Sequence, residues 1–245
     1  MPIRRAGRPW GQAPCRLLCL PPAGAGPSLF HPWLDAAPAH IEVCPVALPG
    51  REDLFGQPLP TDLHSLADAL ADALAPALDR PYAVLGYSLG ALLGWELVQR
   101  WRHQGRPLPQ VFFALAARPP HRPLRRSEPL HALPPVAFRA MLADLGGTPP
   151  EILANADAMA LFEPILRADL RLAETYVASG TTPLACPVYA FKGRDDSLLS
   201  PLDAQGWSRC SAAGFQLHEL DGPHLLARPE FLAVLALAGR LWPLR

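Results

Sequence analysis

Apolar positions in this chain come in short unbroken runs that alternate with stretches of helical period. Arg16-Leu17-Leu18-Cys19-Leu20 ends at Pro21-Pro22, which predicts a buried strand running into a loop. Ile41 to Leu48, closed by Pro49-Gly50, predicts a second strand. Leu63, Leu66, Leu70 and Leu74 recur on one face and predict an amphipathic helix over Asp62 to Leu78, with Thr61 as its cap. Tyr82 to Tyr87 reads as a strand and Ala91 to Arg102 as a helix. The continuous apolar run Val111 to Ala116 has the character of a central parallel strand. Val188 to Lys192 and Phe215 to Leu220 predict two more strands, and Pro229 to Trp242 a closing helix. Strands alternating with helices predict an α/β fold with a mostly parallel, doubly wound sheet.

One stretch breaks the alternation. Pro119 to Thr182 shows no strand pattern but has helical periods around Val136 to Leu145 and Ala158 to Tyr176. It reads as a helical lid inserted over the sheet, spanning about 119–182. The opening segment is rich in Arg, Pro and Gly and lacks an apolar period, so 1–15 reads as a loose extension. The remainder, 16–245, reads as a single domain.

Composition narrows the function classes. The 22 basic and 22 acidic residues balance, without the basic excess that phosphate contacts demand of a nucleic-acid binder. The five cysteines have no C-x-x-C spacing, so neither a zinc site nor a disulfide framework is indicated. Cys15, Cys19, Cys44 and Cys186 lie in or beside apolar runs and read as buried thiols in a reducing compartment. No apolar stretch reaches the length of a membrane span and the N-terminus has no apolar signal core, so a cytoplasmic location is expected.

Gly86-Tyr87-Ser88-Leu89-Gly90 matches G-x-S-x-G. In the α/β-hydrolase fold this motif places a nucleophilic serine on a sharp strand-to-helix turn, and here a strand pattern precedes it and a helix pattern follows. A serine hydroxyl needs a base to take its proton, and histidine titrates in the right range. The triad order of that fold, serine, acid, histidine, leaves His103, His121, His131, His218 and His224. His224 follows Asp221-Gly222-Pro223 just past the last strand, at the sheet edge where Ser88 also belongs, and is the favoured base. The acid falls in Gly193-Arg194-Asp195-Asp196-Ser197, with both aspartates open, and Asp221 reads as a turn residue. An oxyanion hole would draw one N–H from Leu89 and another from the loop Pro22 to Gly26, with Ala23 as donor.

Together these pieces resemble the type II thioesterases that accompany nonribosomal peptide and polyketide synthases. The resemblance rests on Leu18 to Gly26, Leu48-Pro49-Gly50-Arg51-Glu52, Gly86 to Gly90 and Leu145-Gly146-Gly147-Thr148-Pro149. It continues through Leu166-Arg167-Ala168-Asp169, Glu174-Thr175-Tyr176, Cys186-Pro187-Val188, Gly193 to Pro201 and Gly222-Pro223-His224. The Pro-Gly-Arg-Glu and lid motifs are more specific than the serine motif. The family register places the acid three residues after Gly193, at Asp196. Two positions depart from it: Tyr87, where many relatives have histidine, and Ser197, where many have proline.

The resemblance implies an α/β-hydrolase fold and a Ser88-Asp196-His224 thioester hydrolase. Such an enzyme would clear unproductive acyl or aminoacyl groups from the phosphopantetheine arm of acyl or peptidyl carrier proteins. The substrate would bring the phosphopantetheine, with no metal or organic cofactor of the protein's own. It implies a monomer whose partners are synthase carrier domains. Leu142, Leu145, Leu161, Phe162, Ile165 and Leu166 are candidate lid core residues. Arg118, Arg122, Arg125 and Arg126 could dock an acidic carrier or simply face solvent. A product-releasing acyl thioesterase, a general carboxylesterase and a non-catalytic synthase-docking subunit are the competing readings.

Overall fold

The computed structural model describes residues 13–122 and 128–242. Six strands form one parallel sheet in the order β2-β1-β3-β4-β5-β6. They are β1 (Cys15–Leu20), β2 (Ile41–Pro45), β3 (Tyr82–Tyr87), β4 (Val111–Leu115), β5 (Val188–Gly193) and β6 (Phe215–Leu220). The helices are α1 (His31–Ala36), α2 (Leu63–Leu74), α3 (Leu89–His103), α4 (Pro135–Leu145), α5 (Pro150–Ala154), α6 (Ala156–Thr175), α7 (Pro201–Gln205) and α8 (Arg228–Leu241). Strands β1, β3 and β4 are buried along their whole length, which is why their sequences are unbroken apolar runs. The edge strand β6 is only partly buried.

Helices cover both faces. Leu66 and Leu70 of α2 pack with Trp95 and Trp101 of α3 on one side. Trp33 of α1 and Phe231 of α8 stack at 4.4 Å on the other, within the cluster that includes Phe113 and Val234. The first crossover places β2 on one side of β1 and the next places β3 on the other. The winding therefore reverses between β1 and β3, and in such sheets ligands bind at the carboxyl ends of the strands flanking the reversal. The segments that leave these two strands are the Pro21–Gly26 loop and Ser88.

Between β4 and β5 the chain forms α4, α5 and α6. Their shared core is Phe138, Leu142 and Met159, with Leu166 and Leu170 packed against it. Of the candidate lid core residues, Leu142 and Ile165 are buried, but Leu161 and Phe162 are exposed. The register of α6 aims Met159, Ile165, Asp169 and Leu172 inward instead. The far end of α6 is tied to α3: the Tyr176 hydroxyl donates to buried Glu96 at 2.6 Å, as does the Ser179 hydroxyl at 2.6 Å. Burial raises the Glu96 carboxyl, but the bonds from Ser179, Tyr176 and Arg100 outweigh it and hold the group below its usual range.

Local boundaries differ from expectation where side-chain chemistry outcompetes period. Asp62, not Thr61, caps α2, accepting the Ser65 N–H at 2.7 Å. Strand β1 begins at Cys15, which is fully buried and paired with Ile41, so the strand takes in a residue assigned to the extension. Strand β2 ends at Pro45, earlier than expected, although the Val46 N–H still donates to Cys19 O of β1 at 2.9 Å. The cysteines are all free and buried, and burial pushes the Cys15 thiol up to about 11 and those of Cys186 and Cys210 to about 12. No helix among the described residues is long and apolar enough to cross a membrane.

Candidate active site

Ser88 stands between β3 and α3 with φ 51 and ψ −112, a left-handed conformation that costs a non-glycine residue about 1–3 kcal/mol. Its N–H donates to Leu115 O of β4 at 2.8 Å, so the serine is held at the strand end while the chain turns sharply into the helix. Gly90 permits the turn. A Cβ there would fall on the Leu20 carbonyl oxygen and within 2.8 Å of the Pro21 carbonyl oxygen. Since both neighbours are backbone, Gly90→Ala is expected to destabilise by at least the ~1–3 kcal/mol of ordinary overpacking. Urea unfolding measures it, and an unchanged midpoint would mean that the loop after β1 can withdraw.

His224 lies beside this turn. Its Nε2 is 3.1 Å from Ser88 Oγ and its Nδ1 is 2.9 Å from Asp196 Oδ2. A carboxylate only accepts, so Nδ1 carries the hydrogen and Nε2 turns its lone pair to the hydroxyl. The second oxygen, Asp196 Oδ1, accepts the N–H groups of Leu198 and Leu199 at 2.8 and 3.0 Å. The Asp196 side chain has no solvent exposure, while Asp195 is exposed and offers its backbone N–H to Gly222 O. Burial and contact with His224 thus separate two adjacent aspartates. Gly193 lets the acid strand pass close to the histidine loop, since a Cβ there would fall on the carbonyl oxygens of Gly222 and Pro223.

The other histidines and acids lie elsewhere. His131 pairs with Glu174 at 2.6 Å, His218 stacks on Phe191, and His121 faces Cys210. Asp221 is exposed and pairs with Arg194. Arg118 donates to Leu198 O and Arg122 to Asp203, whereas Arg125 and Arg126 lie outside the described residues. Among the described residues no cluster of three or more His, Cys, Asp or Glu side chains could hold a metal ion.

Two interactions at the site were not anticipated. The Tyr87 hydroxyl donates to His224 O at 2.9 Å and accepts the Leu226 N–H at 2.8 Å, so the residue before the serine clamps the histidine loop. Burial pushes this phenol well above its usual range, so it stays protonated. Asp169 of α6 accepts from Arg51 at 2.5 and 2.8 Å and from the Gly24 N–H at 2.8 Å, joining three of the sequence motifs noted above.

Space adjoins the serine on two sides. A cavity of about 610 Å³ runs from Ser88 past Ala23, Leu142, Gly147, Phe162 and Leu166. A smaller one of about 110 Å³ runs from Ser88 past Leu89, Leu92, Ala117, Ala173 and Tyr176. Leu89 opens α3, so its N–H has no acceptor within the helix, and Ala23 lines the larger cavity. A hydroxyl, an imidazole able to take its proton, a buried carboxylate behind the imidazole and apolar walls on both sides can carry out acyl transfer.

Comparison with known proteins agrees with this chemistry. A family model described as the thioesterase domain matches residues 15–236. The linear gramicidin dehydrogenase LgrE of Brevibacillus parabrevis is 36% identical over 218 residues, 88% of this chain and 82% of that protein. RedJ, a thioesterase from the prodiginine biosynthetic pathway of Streptomyces coelicolor, superposes with a TM-score of 0.87 at 33% identity, covering 97% of this chain and 96% of that one. The type II thioesterase BorB from the borrelidin biosynthetic cluster superposes with a TM-score of 0.86 at 30% identity, covering 96% of each chain.

Proposed function

We infer, because the chain belongs to the thioesterase family and is akin to the type II thioesterases of nonribosomal peptide and polyketide pathways, that it clears acyl groups from carrier proteins. The observation that carries this reading is the Ser88-His224-Asp196 chain of contacts lying where two cavities meet beneath a helical lid.

In this reading Ser88 Oγ attacks the thioester carbonyl as its proton passes to His224 Nε2. The N–H groups of Ala23 and Leu89 receive the oxyanion. Collapse of the tetrahedral species breaks the C–S bond, and His224 returns the proton to the departing phosphopantetheine sulfur. Water then attacks the acyl-Ser88 ester, His224 takes the water's proton, and the acid leaves as Ser88 is restored. The chain's own residues supply every step. The partner is an acyl or peptidyl carrier domain of a synthase, met by a monomer in the cytoplasm. The word dehydrogenase in the gramicidin relative's name finds no counterpart in the loop after β1. Gly24-Ala25-Gly26-Pro27-Ser28-Leu29 ends without the third glycine of a dinucleotide loop.

The small cavity supports an editing role. At about 110 Å³ it is smaller than the ~150 Å³ cavity that holds benzene, so it suits acyl groups of a few carbons. The large cavity favours a second reading, a product-releasing enzyme with a long acyl chain lying along Leu142 and Leu166. Carrier proteins loaded with acyl groups from acetyl to decanoyl separate the two, with the freed thiol scored by intact-protein mass. Editing predicts hydrolysis of several short groups at comparable rates. A sharp preference for one long chain would favour product release. Thiol release from none of them, with oxygen esters cleaved instead, would overturn carrier hydrolysis altogether.

A further inference from the structure

The residue after the proposed oxyanion donor is gripped by the lid. Asp169, fully buried on α6, accepts the Gly24 N–H at 2.8 Å. The same carboxylate is held by both terminal nitrogens of Arg51, at 2.5 and 2.8 Å. Arg51 in turn reaches the Ala25 carbonyl at 3.2 Å and the Pro49 carbonyl at 3.3 Å. One ion pair therefore fixes the loop through the N–H of one residue and the C=O of the next. The grip is apolar as well as polar. Leu166, one turn earlier on the same face of α6, packs against Gly24 so closely that a Cβ there would strike its side chain. Leu166 and Ala23 both line the larger cavity beside Ser88, so this face of α6 touches both the space above the serine and the loop beside it.

We propose that Asp169 is a positioning residue that locks the Ala23 N–H into the oxyanion hole, making the hole's geometry depend on the seating of lid helix α6. The proposal rests on the reading of Ala23 as an oxyanion donor. Two tethers bracket Ala23. The plane that carries the Ala23 N–H also carries the Pro22 carbonyl, which accepts the Ala25 N–H at 3.1 Å, and the next plane carries the Gly24 N–H held by Asp169, so the φ and ψ of Ala23 between them have little room to turn. A donor displaced by about 1 Å can cost roughly a hundredfold in rate. Asp169 Oδ2 accepts both the Gly24 N–H and Arg51 Nη1, and Oδ1 accepts Arg51 Nη2. A neutral amide keeps its oxygen on the Gly24 side only by turning its NH₂ onto Arg51 Nη2, which loosens the arginine that holds the Ala25 carbonyl.

The test compares wild type with Asp169→Asn on an acetyl-carrier thioester and on a trifluoromethyl ketone, which forms a tetrahedral oxyanion on Ser88. Asp169→Asn is expected to lower kcat on the order of 10- to 100-fold, within the range for weakening one oxyanion donor, with KM changed by less than about twofold. Affinity for the ketone should fall by the same factor, and the downfield proton between His224 and Asp196 should persist in the NMR spectrum. Asp169→Glu keeps the charge for Arg51 but moves the acceptor by one methylene. It is read by the same two quantities should the Asn variant fail to fold. A lower Tm with unchanged kcat and ketone affinity in the folded variant overturns the proposal. Wild type that neither hydrolyses the thioester nor binds the ketone overturns the serine-thioesterase reading, and this one with it.

Discussion

Asp196→Asn is expected to lower kcat on an acyl-carrier thioester by about 10⁴-fold while KM stays near its wild-type value. The size follows from what surrounds the two oxygens. Oδ1 faces two backbone donors, the N–H groups of Leu198 and Leu199, and Oδ2 faces His224 Nδ1. An asparagine places its single oxygen against the two donors, because the opposite orientation would aim its NH₂ at two N–H groups in a buried site. The NH₂ then points at His224 and donates to Nδ1. That forces the imidazole hydrogen onto Nε2, facing Ser88 Oγ, where the reaction needs a lone pair. Fold and substrate pockets are untouched, so the loss falls on kcat. Steady-state kinetics with intact-mass detection measures it. A loss below about tenfold would remove Asp196 from the proposed role.

The two aspartates at this turn differ in a way that residue type does not encode. Residue types place an acid at the end of β5, but Asp195 and Asp196 are equivalent by composition and spacing, and only the family register chose between them. Burial separates them, and burial is a property of the turn's three-dimensional path. Ser88 and His224 were easier to place because local chemistry marks them. A tight turn needs Gly86 and Gly90 around the serine, and the loop after the last strand must return to the sheet edge where the winding reverses. The strands were legible for a related reason. Two-sided burial leaves unbroken apolar runs, and β3 and β6 begin and end at the expected residues.

Less was visible in the lid. Helix α6 continues through Pro164 despite the missing N–H, and its period survives, so the element was anticipated. Its inward face was not. Leu161 and Phe162 are apolar yet exposed, Phe162 along the larger cavity, because tertiary packing buries the Met159, Ile165 and Leu172 side. Helices of about one turn, such as α1, α5 and α7, begin with proline near the N-terminus and are too short to show a period. The Arg51-Asp169 pair bridges 118 residues, and no local pattern announces such a contact. Only the co-occurrence of both motifs in one family resemblance hinted that they matter, without saying that they touch.

Ser88→Ala is the substitution with the largest expected effect, a fall in kcat on the order of 10⁶-fold with the fold retained. In the proposed mechanism the Ser88 hydroxyl forms the acyl intermediate, and its removal leaves His224 Nε2 facing a methyl group. In that mechanism what remains is hydrolysis by water in a site that keeps its proposed binding surface and the proposed Leu89 and Ala23 donors. In comparable enzymes that residue of catalysis is roughly 10³–10⁴ over the uncatalysed rate. This fixes the outcome of a double variant. If Asp196 acts only by setting the tautomer that activates Ser88, then Ser88→Ala combined with Asp196→Asn should be no slower than Ser88→Ala alone. The two losses would not multiply to about 10¹⁰. Single-turnover release of the carrier thiol, followed by intact mass, measures all three variants. A further loss of tenfold or more in the double variant would show that Asp196 also serves a path that bypasses the serine, with His224 activating water directly. A Ser88→Ala variant within about twofold of wild type would make that path the main one.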